Sequence, residues 1–533
     1  MLSLNENGLR CRQEWLDKGY SLPEFDRQAM IAKTQEAPVW VHFGAGNIFR
    51  AFQCAAMQKL LNDGKTDTGI IAVEGFDYEI VEKGYRPNDN YTLLVTLKAN
   101  GQVEKKVIGS IAESCILDSG NIPEFDHLKD IFSNPSLQMA SFTITEKGYA
   151  VRDLQGQIAP AIAADLAAGP GASQSYLGKV ASLLYTRYQA GRLPIAMVSM
   201  DNCSHNGEKL FQAVKTFAEG WKDEGFLSYI SDPRVVSFPW TMIDKITPRP
   251  DAAVEAMLRE DGLEGLDPVV TTKHTWIAPF VNAEESEYLV IEDAFPNGRP
   301  PLEEAGFLFT DRDTVNKVER MKVTTCLNPL HTALAVFGCL LGYTRISDEM
   351  KDPDLLKLIR TIGYQEGLPV VTDPGVISPR EFIDTVVNIR LPNPFMPDTP
   401  QRIACDTSQK VPIRFGETIK SYLSDPDRDA SSLTAIPLAI AGWMRYLLGV
   451  DDQGNTIEIS PDPLLPRLKE ALSGIIPGSP ASAEGKLDSL LSDPTLFATD
   501  LTATPLADKI TSFFRSMLEG PGSVRKTLHH AMN

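Results

Sequence analysis

The sequence has few cysteines, and their arrangement excludes two kinds of stabilising site. Seven cysteines are scattered over 533 residues, and no two form a C-x-x-C pair. We therefore expect neither a disulfide framework nor a structural zinc site. The first residues, MLSLNENGLRCRQEW, also lack the apolar core of a signal peptide. Together these absences predict a reduced, cytoplasmic protein.

Positive charge and long apolar runs are also scarce. Lys and Arg total 51 against 70 Asp and Glu, which gives a formal net charge of -19. This balance repels phosphate backbones and anionic membrane surfaces, so any anionic ligand must be held by a local cluster of cations. The longest strongly apolar stretch, TALAVFGCLLGY, is shorter than the roughly 20 residues of a membrane-spanning helix. We expect neither a nucleic acid nor a membrane as a partner.

What is present suggests a large globular chain with at least two domains. Hydrophobic residues make up 43% and charged residues 23%, and 533 residues exceed what one hydrophobic core supports. Near the N-terminus, APVWVHF predicts a buried strand that leads into the turn GAGN. AFQCAAMQKLLNDG has helical spacing, and TGIIAVEGFD predicts a second buried strand. Strand, glycine turn, helix and strand in this order predict the βαβ unit of a parallel sheet.

The second half of the chain has a different pattern. The stretch FPNGRPPLEEAG (295–306) is rich in Pro and Gly and indicates a boundary, beyond which apolar residues recur mostly at helical spacing. The predicted architecture is an α/β Rossmann-like dinucleotide-binding domain over 1–300, with a helical N-terminal lead-in. A mostly α-helical substrate domain follows over 301–533.

The glycine turn HFGAGNIFR suggests a cofactor site. Gly44 would make the tight turn, and Gly46 would let the backbone approach a pyrophosphate at the helix N-terminus. Phe49 stands where the third glycine of the full motif would be, so the turn alone is also compatible with a purely structural role. An acid at the end of the second strand, Glu74, would accept hydrogen bonds from ribose hydroxyls and repel a 2′-phosphate, which favours NAD over NADP.

Several further stretches resemble one enzyme family. They are GAGNIFRAFQ (44–53), TITEKGY (143–149), SMDNCSHNG (199–207), FPWTMIDKITP (238–248), VIEDAFPNGRP (290–300) and KVTTCLNPLHTALA (322–335). In this order the sequence resembles the long-chain polyol dehydrogenase family, which includes mannitol dehydrogenases and fructuronate reductases. TITEKGY is most similar to the fructuronate reductase branch.

The resemblance implies metal-independent hydride transfer between a secondary alcohol and NAD. Lys322 would be the general base, Asn202 and Asn328 would hold the reacting oxygen, and His331 would bind the substrate. The cofactor contacts implied by the matching positions are Gly44, Gly46, Asn47, Ile48, Arg50, Glu74 and Glu146. The substrate-side candidates are Lys147, Asp244, Lys245, Arg390 and Lys410.

The substrate-side candidates have competing interpretations. A uronate or aldonate needs a cation for its carboxylate, and Arg390 is the first choice because arginine binds a carboxylate through two parallel hydrogen bonds. Asp244 and Lys245 are equally compatible with a structural salt bridge.

One feature departs from the family pattern. Lys322 precedes Asn328 by six residues, whereas the family spacing is five. Since each helical residue turns about 100°, the extra residue would move Lys322 off the shared face. A one-residue π-bulge would absorb it, or the lysine would precede the helix. Asn328 followed by Pro329 also predicts an ordinary helix start, with Asn328 as N-cap.

The leading functional hypothesis is an NAD-dependent reductase that interconverts fructuronate and mannonate. The alternatives are a neutral-polyol enzyme of the mannitol 2-dehydrogenase type and, from another class, a catalytically inactive nucleotide-binding sensor. The expected partner is a small sugar acid or polyol, and the expected state is a monomer or small homo-oligomer. No metal is expected.

Overall fold

The computed structural model describes residues 1–153 and 155–533 and contains two compact units, Met1–Asn316 and Lys317–Asn533. The first is α/β with a parallel sheet and the second is helical, so the predicted fold class is confirmed. The predicted boundary at 300/301 precedes this division. The reason is that strand Leu308–Thr310 pairs with Tyr288–Glu292 and therefore belongs to the first unit.

The first unit contains fifteen strands among the described residues. They are β1 (Tyr20–Ser21), β2 (Trp40–Phe43), β3 (Ile70–Glu74), β4 (Thr92–Leu97), β5 (Val103–Ile108), β6 (Ile111–Ile116), β7 (Met139–Phe142), β8 (Ile195–Ser199), β9 (Val236–Ser237), β10 (Thr241–Asp244), β11 (Val269–Val270), β12 (Trp276–Ile277), β13 (Phe280–Glu284), β14 (Tyr288–Glu292) and β15 (Leu308–Thr310).

The α-helices of the first unit lie before and between these strands in sequence. They are α1 (Arg12–Asp17), α2 (Arg27–Glu36), α3 (Cys54–Asn62), α4 (Ile122–Ser133), α5 (Pro160–Ala168), α6 (Tyr176–Gln189), α7 (Asn206–Gly220), α8 (Glu224–Ser231) and α9 (Ala252–Glu260).

Six strands form an all-parallel sheet in the order β6-β3-β2-β7-β8-β9. Its four central strands are buried along their whole length, as expected for a sheet covered on both faces. Alternate residues serve different cores: Val41 and Phe43 pack on one face, whereas Trp40 packs on the other. Because the strands are parallel, the carboxyl ends of β2, β3, β7 and β8 share one edge, where the candidate cofactor residues lie.

The remaining strands form smaller sheets outside this one. β1-β5-β4-β13 is mixed, β10-β14-β15 is mixed, and β11-β12 is an antiparallel pair. The stretch EYLVIED is a strand as predicted, but as β14 it pairs antiparallel with β10 rather than joining the parallel sheet.

The second unit is helical. Its elements are α10 (Arg312–Met321, which contains the division between the units), α11 (Asn328–Leu341), α12 (Ile346–Glu349), α13 (Pro353–Arg360), α14 (Pro379–Thr385), α15 (Pro400–Ile403), α16 (Thr407–Val411), α17 (Glu417–Ser424), α18 (Ala435–Tyr446), α19 (Leu465–Ala471), α20 (Asp488–Leu491), α21 (Pro494–Phe497), α22 (Leu506–Ser516) and α23 (Ser523–Met532).

The helical run Arg312–Leu341 is the longest in the chain. By length and composition it is long enough and apolar enough to cross a membrane, yet 72% of its apolar window is buried inside the protein. A helix that is buried to this extent is typical of a protein core. The stretch TALAVFGCLLGY underestimates the length of this helix, because the helix continues upstream of that stretch.

Several helices contain π-helical segments, in which the hydrogen bond skips one residue more than in an α-helix. They are Phe49–Gln53, Ile80–Tyr85, Lys322–Cys326, Thr361–Gly367, Val386–Arg390 and Pro412–Gly416. Such segments often occur at functional sites, and three of them carry the candidate residues Arg50, Lys322 and Arg390.

Candidate active site

The glycine turn after β2 has the backbone geometry that a dinucleotide requires. Gly44 has a φ of +101°, and a Cβ there would lie 2.2 Å from the carbonyl oxygen of Thr143. Its N–H donates to the carbonyl oxygen of Val73 at 2.8 Å, which closes the turn. Nothing lies within 4 Å of the point where a Cβ of Gly46 would stand. The turn is therefore tight at Gly44 and open at Gly46, which fits the close approach of a pyrophosphate.

Glu74 holds this turn in place. Its carboxylate is 5% exposed and accepts backbone N–H groups from Ala45 at 3.0 Å, Phe76 at 2.7 Å and Asp77 at 3.1 Å. Burial raises the pKa of this carboxyl, and the three N–H donors oppose that rise. A contact between Glu74 and a ribose stays a prediction, but its support of the turn is direct.

Arg50 stabilises the glycine turn through buried hydrogen bonds. Its guanidinium is 4% exposed and donates to the carbonyl oxygen of Ala278 at 2.8 Å, Thr92 Oγ1 at 3.3 Å and Asn47 Oδ1 at 2.9 Å. Burial lowers its pKa. These contacts give Arg50 a positioning role toward Asn47, while the neighbouring Ile48 is half-buried.

Phe49 explains the missing third glycine. Its ring stacks on His42 in β2, with the centroids 4.2 Å apart. His42 is fully buried between Ser141 Oγ at 2.6 Å and Thr143 Oγ1 at 2.8 Å, and burial lowers its pKa to about 3. A neutral imidazole against an aromatic ring therefore replaces the close helix–strand contact that a third glycine provides.

Asp201, which follows β8, organises the TITEKGY loop. Its carboxylate accepts the N–H groups of Ile144 at 2.9 Å and Thr145 at 2.8 Å, and the Tyr149 hydroxyl at 2.6 Å. Thr145 has a φ of +64°, so this backbone is strained and held by Asp201. The sequence alone assigns no role to Asp201. The tyrosine six residues after Thr143 was the available signal.

The candidates on these two loops are at the surface of the first unit. Asn202 is exposed directly after Asp201, and Lys147 is exposed, with no hydrogen-bond partner for its amine among the described residues. Glu146 forms an ion pair with Lys209. The roles of Asn202, Glu146 and Lys147 toward ligands stay predictions.

Lys245 makes the kind of structural ion pair that was the alternative to a substrate contact. Asp244 ends β10 and is 7% exposed. The Lys245 amine donates to the carbonyl oxygen of Glu284 at 2.7 Å and to Glu287 Oε2 at 2.8 Å. Lys245 therefore forms an ion pair with Glu287, and a substrate contact of Asp244 or Lys245 stays a prediction.

In the second unit, Lys322 begins the π-helical segment Lys322–Cys326. The Leu327 N–H donates to the carbonyl oxygen of Lys322 at 3.1 Å, a five-residue step. Lys322 therefore lies within a helix and not ahead of one, and its side chain is 4% exposed. The π segment takes up one residue more than a regular turn, as the spacing to Asn328 requires.

Asn328 is the first residue of α11 and not its N-cap. The cap position is Leu327, no side chain caps this end, and Pro329 lies in the first turn as predicted. The N-cap prediction is wrong because the upstream π-helix runs directly into α11. Asn328 is half-buried, and its amide has no hydrogen-bond partner among the described residues, so it remains available to a ligand.

His331 lies one turn further along α11. Its Nε2 is buried without a hydrogen-bond partner, and Asp398 Oδ2 is 3.6 Å away. Burial lowers the pKa of His331 to about 4, against the raising effect of Asp398. Three arginine charges lower it further: Arg414, Arg402 and Arg390. The imidazole is therefore neutral at neutral pH.

The cations around His331 are held differently. Arg402 forms an ion pair with Asp398, and Arg390 is 5% exposed in its π segment. The Lys410 amine donates to the carbonyl oxygens of Ile403 and Cys405, and burial lowers its pKa.

Arg414, which sequence reasoning missed, donates to Thr332 Oγ1 at 2.5 Å. Its position four residues after Lys410 in a helical stretch was the available signal.

Among the described residues, one group has the spacing of a metal site. Ligand atoms of Glu113, Cys115 and His127 lie within 4.8 Å of one another. His127 Nε2 already lies 3.1 Å from Glu113 Oε1, and burial raises the Cys115 pKa well above its usual value. A metal needs the thiolate, so burial opposes binding. Metal-independent chemistry stays a prediction.

Comparison with known proteins identifies the family. The model of the mannitol dehydrogenase Rossmann domain matches residues 39–304, and that of the mannitol dehydrogenase C-terminal domain matches residues 314–518. The chain belongs to the mannitol dehydrogenase family. The resemblance inferred from the motifs is thereby confirmed.

Relatives in the mannitol dehydrogenase family cover the whole chain. D-mannonate oxidoreductase of Thermotoga maritima is 52% identical, over 100% of this chain and 99% of that protein. The crystal structure of a D-sorbitol dehydrogenase in substrate-free form is 25% identical with a TM-score of 0.81, over 100% of both chains. A Pseudomonas fluorescens mannitol 2-dehydrogenase, in ternary complex with NAD and D-mannitol, is 27% identical with a TM-score of 0.69, over 99% of both chains.

Proposed function

We propose that this protein is an NAD-dependent oxidoreductase that interconverts D-mannonate and D-fructuronate. The observation that carries the proposal is the 52% identity to a D-mannonate oxidoreductase along the full length of both proteins. The chemistry is oxidation of a secondary alcohol in a sugar acid to a ketone, and the reverse reduction.

The first unit would bind the cofactor. A related mannitol 2-dehydrogenase binds NAD, and the turn at Gly44 and Gly46, supported by Glu74, fits the pyrophosphate of such a dinucleotide. When bound, the nicotinamide supplies the hydride acceptor for oxidation or the hydride donor for reduction. Because Glu74 places a carboxylate at the end of β3, we expect NADH to be preferred over NADPH.

The chain's own residues would manage the proton and the reacting oxygen. In oxidation, the Lys322 amine would accept the proton of the substrate hydroxyl, and in reduction an ammonium there would return it. The side-chain amide of Asn328 would donate a hydrogen bond to that oxygen as its negative charge develops. His331 would bind a neighbouring hydroxyl. Neither the half-buried Asn328 amide nor the buried Nε2 of His331 has a hydrogen-bond partner among the residues that the structure describes, which supports these roles.

The rival function is oxidation of a neutral polyol, which the structural neighbours favour, since they are a D-sorbitol dehydrogenase and a mannitol 2-dehydrogenase. Initial rates with NADH on D-fructuronate and on D-fructose separate the two. We expect kcat/KM on D-fructuronate to be higher by at least about 100-fold, the size of effect given by one charge-assisted pair. A preference for D-fructose would contradict the proposal, and parallel assays with NADPH test the cofactor.

The inactive-sensor alternative rested on the six-residue spacing between Lys322 and Asn328. The π segment accommodates that spacing within one helical run, so the spacing no longer argues against catalysis. A cytoplasmic location and a monomeric or small homo-oligomeric state are further proposals, to be tested by cell fractionation and by light scattering.

A further inference from the structure

Arg414 is a half-buried cation with little internal compensation. It lies in the π segment Pro412–Gly416, and its Nη1 donates to Thr332 Oγ1 at 2.5 Å. Thr332 directly follows His331 and donates its own proton to the carbonyl oxygen of Asn328 at 2.9 Å. The hydroxyl oxygen therefore accepts from Arg414. This bond ties the guanidinium to the helix turn that carries Asn328 and His331.

No carboxylate among the described residues forms an ion pair with Arg414. Its one hydrogen bond there is to a neutral hydroxyl, although a guanidinium has five N–H donors. Burial alone lowers its pKa to about 10, which leaves it charged at neutral pH. A partly desolvated cation without a counter-charge is costly, and an anionic ligand would offset that cost.

The surroundings of Arg414 favour an anion over a neutral hydroxyl. Arg414, Arg402 and Arg390 all act electrostatically on His331, whereas Asp398 is the one carboxylate among the causes of its shift. Arg402 is already paired with Asp398. With a neutral imidazole nearby and Asp398 paired with Arg402, Arg414 has no carboxylate counter-charge among the described residues, in a chain whose net charge is -19.

We propose that Arg414 binds the carboxylate of the sugar-acid substrate and thereby sets the preference for an acid over a neutral sugar. The inference rests on the proposed function, which supplies the acid. The guanidinium would bind the carboxylate through two parallel hydrogen bonds while Thr332 fixes its position. Arg414 thus takes the role that the sequence first suggested for Arg390.

The test compares Arg414→Gln with the parent protein on D-fructuronate and D-fructose, with NADH in both assays. Loss of the charged pair should lower kcat/KM on D-fructuronate on the order of 100-fold. The rate on D-fructose should change by no more than about threefold, because a neutral sugar makes no charged pair. Calorimetric titration with D-mannonate in the presence of NADH gives a second readout that does not depend on turnover, and its dissociation constant should rise.

Two further variants keep the result interpretable. Arg414→Lys retains the charge without the planar pair of donors, so it should lose about tenfold on the acid, and it serves as the readout if Arg414→Gln does not fold. Arg515→Gln removes one exposed arginine on α22 and should leave both rates unchanged.

Each outcome decides something. A parent protein that prefers D-fructose would contradict the proposed function and, with it, this inference. If the parent prefers D-fructuronate, one result would overturn this inference alone. That result is an Arg414→Gln variant, or a folded Arg414→Lys variant, that keeps the full preference and the same D-mannonate affinity. Equal losses on both sugars would also overturn it, since they indicate a general structural role.

Discussion

Buried charge is handled differently at the glycine turn and around His331. At the parallel sheet, Glu74 accepts three backbone N–H groups. Arg187 in the same unit donates to four backbone carbonyl oxygens. In the helical unit, the half-buried Arg414 donates to one hydroxyl, and within the described part of the chain neither His331 Nε2 nor either carboxyl oxygen of Glu349 has a hydrogen-bond partner.

The difference separates polar groups that build the fold from groups that are open to a ligand. A charge surrounded by backbone donors or acceptors is satisfied in the folded state and stabilises it. An unsatisfied buried group costs about 1–3 kcal/mol, so it persists where a ligand supplies the partner or where the fold tolerates the cost. We assign Arg414 and His331 to the first case and Glu349 to the second.

The largest expected effect is that of Lys322→Ala. Without a group to exchange the substrate proton, kcat should fall about 1000-fold. The dissociation constant of NADH, measured by fluorescence titration, should stay within about twofold of the parent value, because no charge is removed from the glycine turn. Lys420→Ala, which removes an exposed lysine of α17, is the control. A fall in kcat of less than tenfold would remove Lys322 from the chemistry.

Glu349→Gln tests the unsatisfied carboxyl that serves no ligand. Burial raises the pKa of Glu349 from 4.5 to about 9. The unfolded chain ionises this group first, so its contribution to stability is complete below pH 4.5 and declines as the pH rises toward 9. Glutamine cannot ionise. Relative to the parent, the variant should therefore gain about 4 kcal/mol in free energy of unfolding between pH 5 and pH 8.

Urea denaturation at the two pH values measures this gain. The exposed Glu484→Gln is the matched control and should show no such difference. If the Glu349 variant has the same pH dependence as the parent, the ionised Glu349 carboxylate is stabilised in the folded protein in solution. The contrast between the glycine turn and the helical unit would then be weaker.

Substitutions in the glycine turn separate folding from cofactor binding. Gly44→Ala adds a Cβ 2.2 Å from a backbone oxygen at a φ of +101°, so it should cost about 2 kcal/mol of stability. Gly46→Ala meets no protein atom within 4 Å, so stability should be unchanged while NADH binds about tenfold more weakly. Gly64→Ala, also at positive φ but without a collision, isolates the strain. Normal NADH affinity in Gly46→Ala would place the pyrophosphate elsewhere.

The sequence predicted the first region better than the second, and the reason is physical. The turn at Gly44 depends on backbone conformation within a short stretch, and local sequence encodes it. Asp398, which lies near His331, comes from the loop before α15, and Arg414 bonds to Thr332 from a separate helical stretch. The positions of Lys322, Arg390 and Arg414 depend on π segments that hydrophobic periodicity does not reveal. The odd spacing before Asn328 was the one visible trace of such a segment.

Lys410→Met has the smallest expected effect and the sharpest contrast with Arg414. Both residues belong to one stretch, four positions apart, but the Lys410 amine is already bonded to the carbonyl oxygens of Ile403 and Cys405. Its loss should lower the free energy of unfolding by about 1 kcal/mol, measured by urea denaturation. The ratio of kcat/KM on D-fructuronate and D-fructose should stay at the parent value. If that ratio falls as far as in Arg414→Gln, hydrogen bonding to the backbone does not separate structural cations from substrate-binding ones, and Lys410 belongs with the carboxylate site.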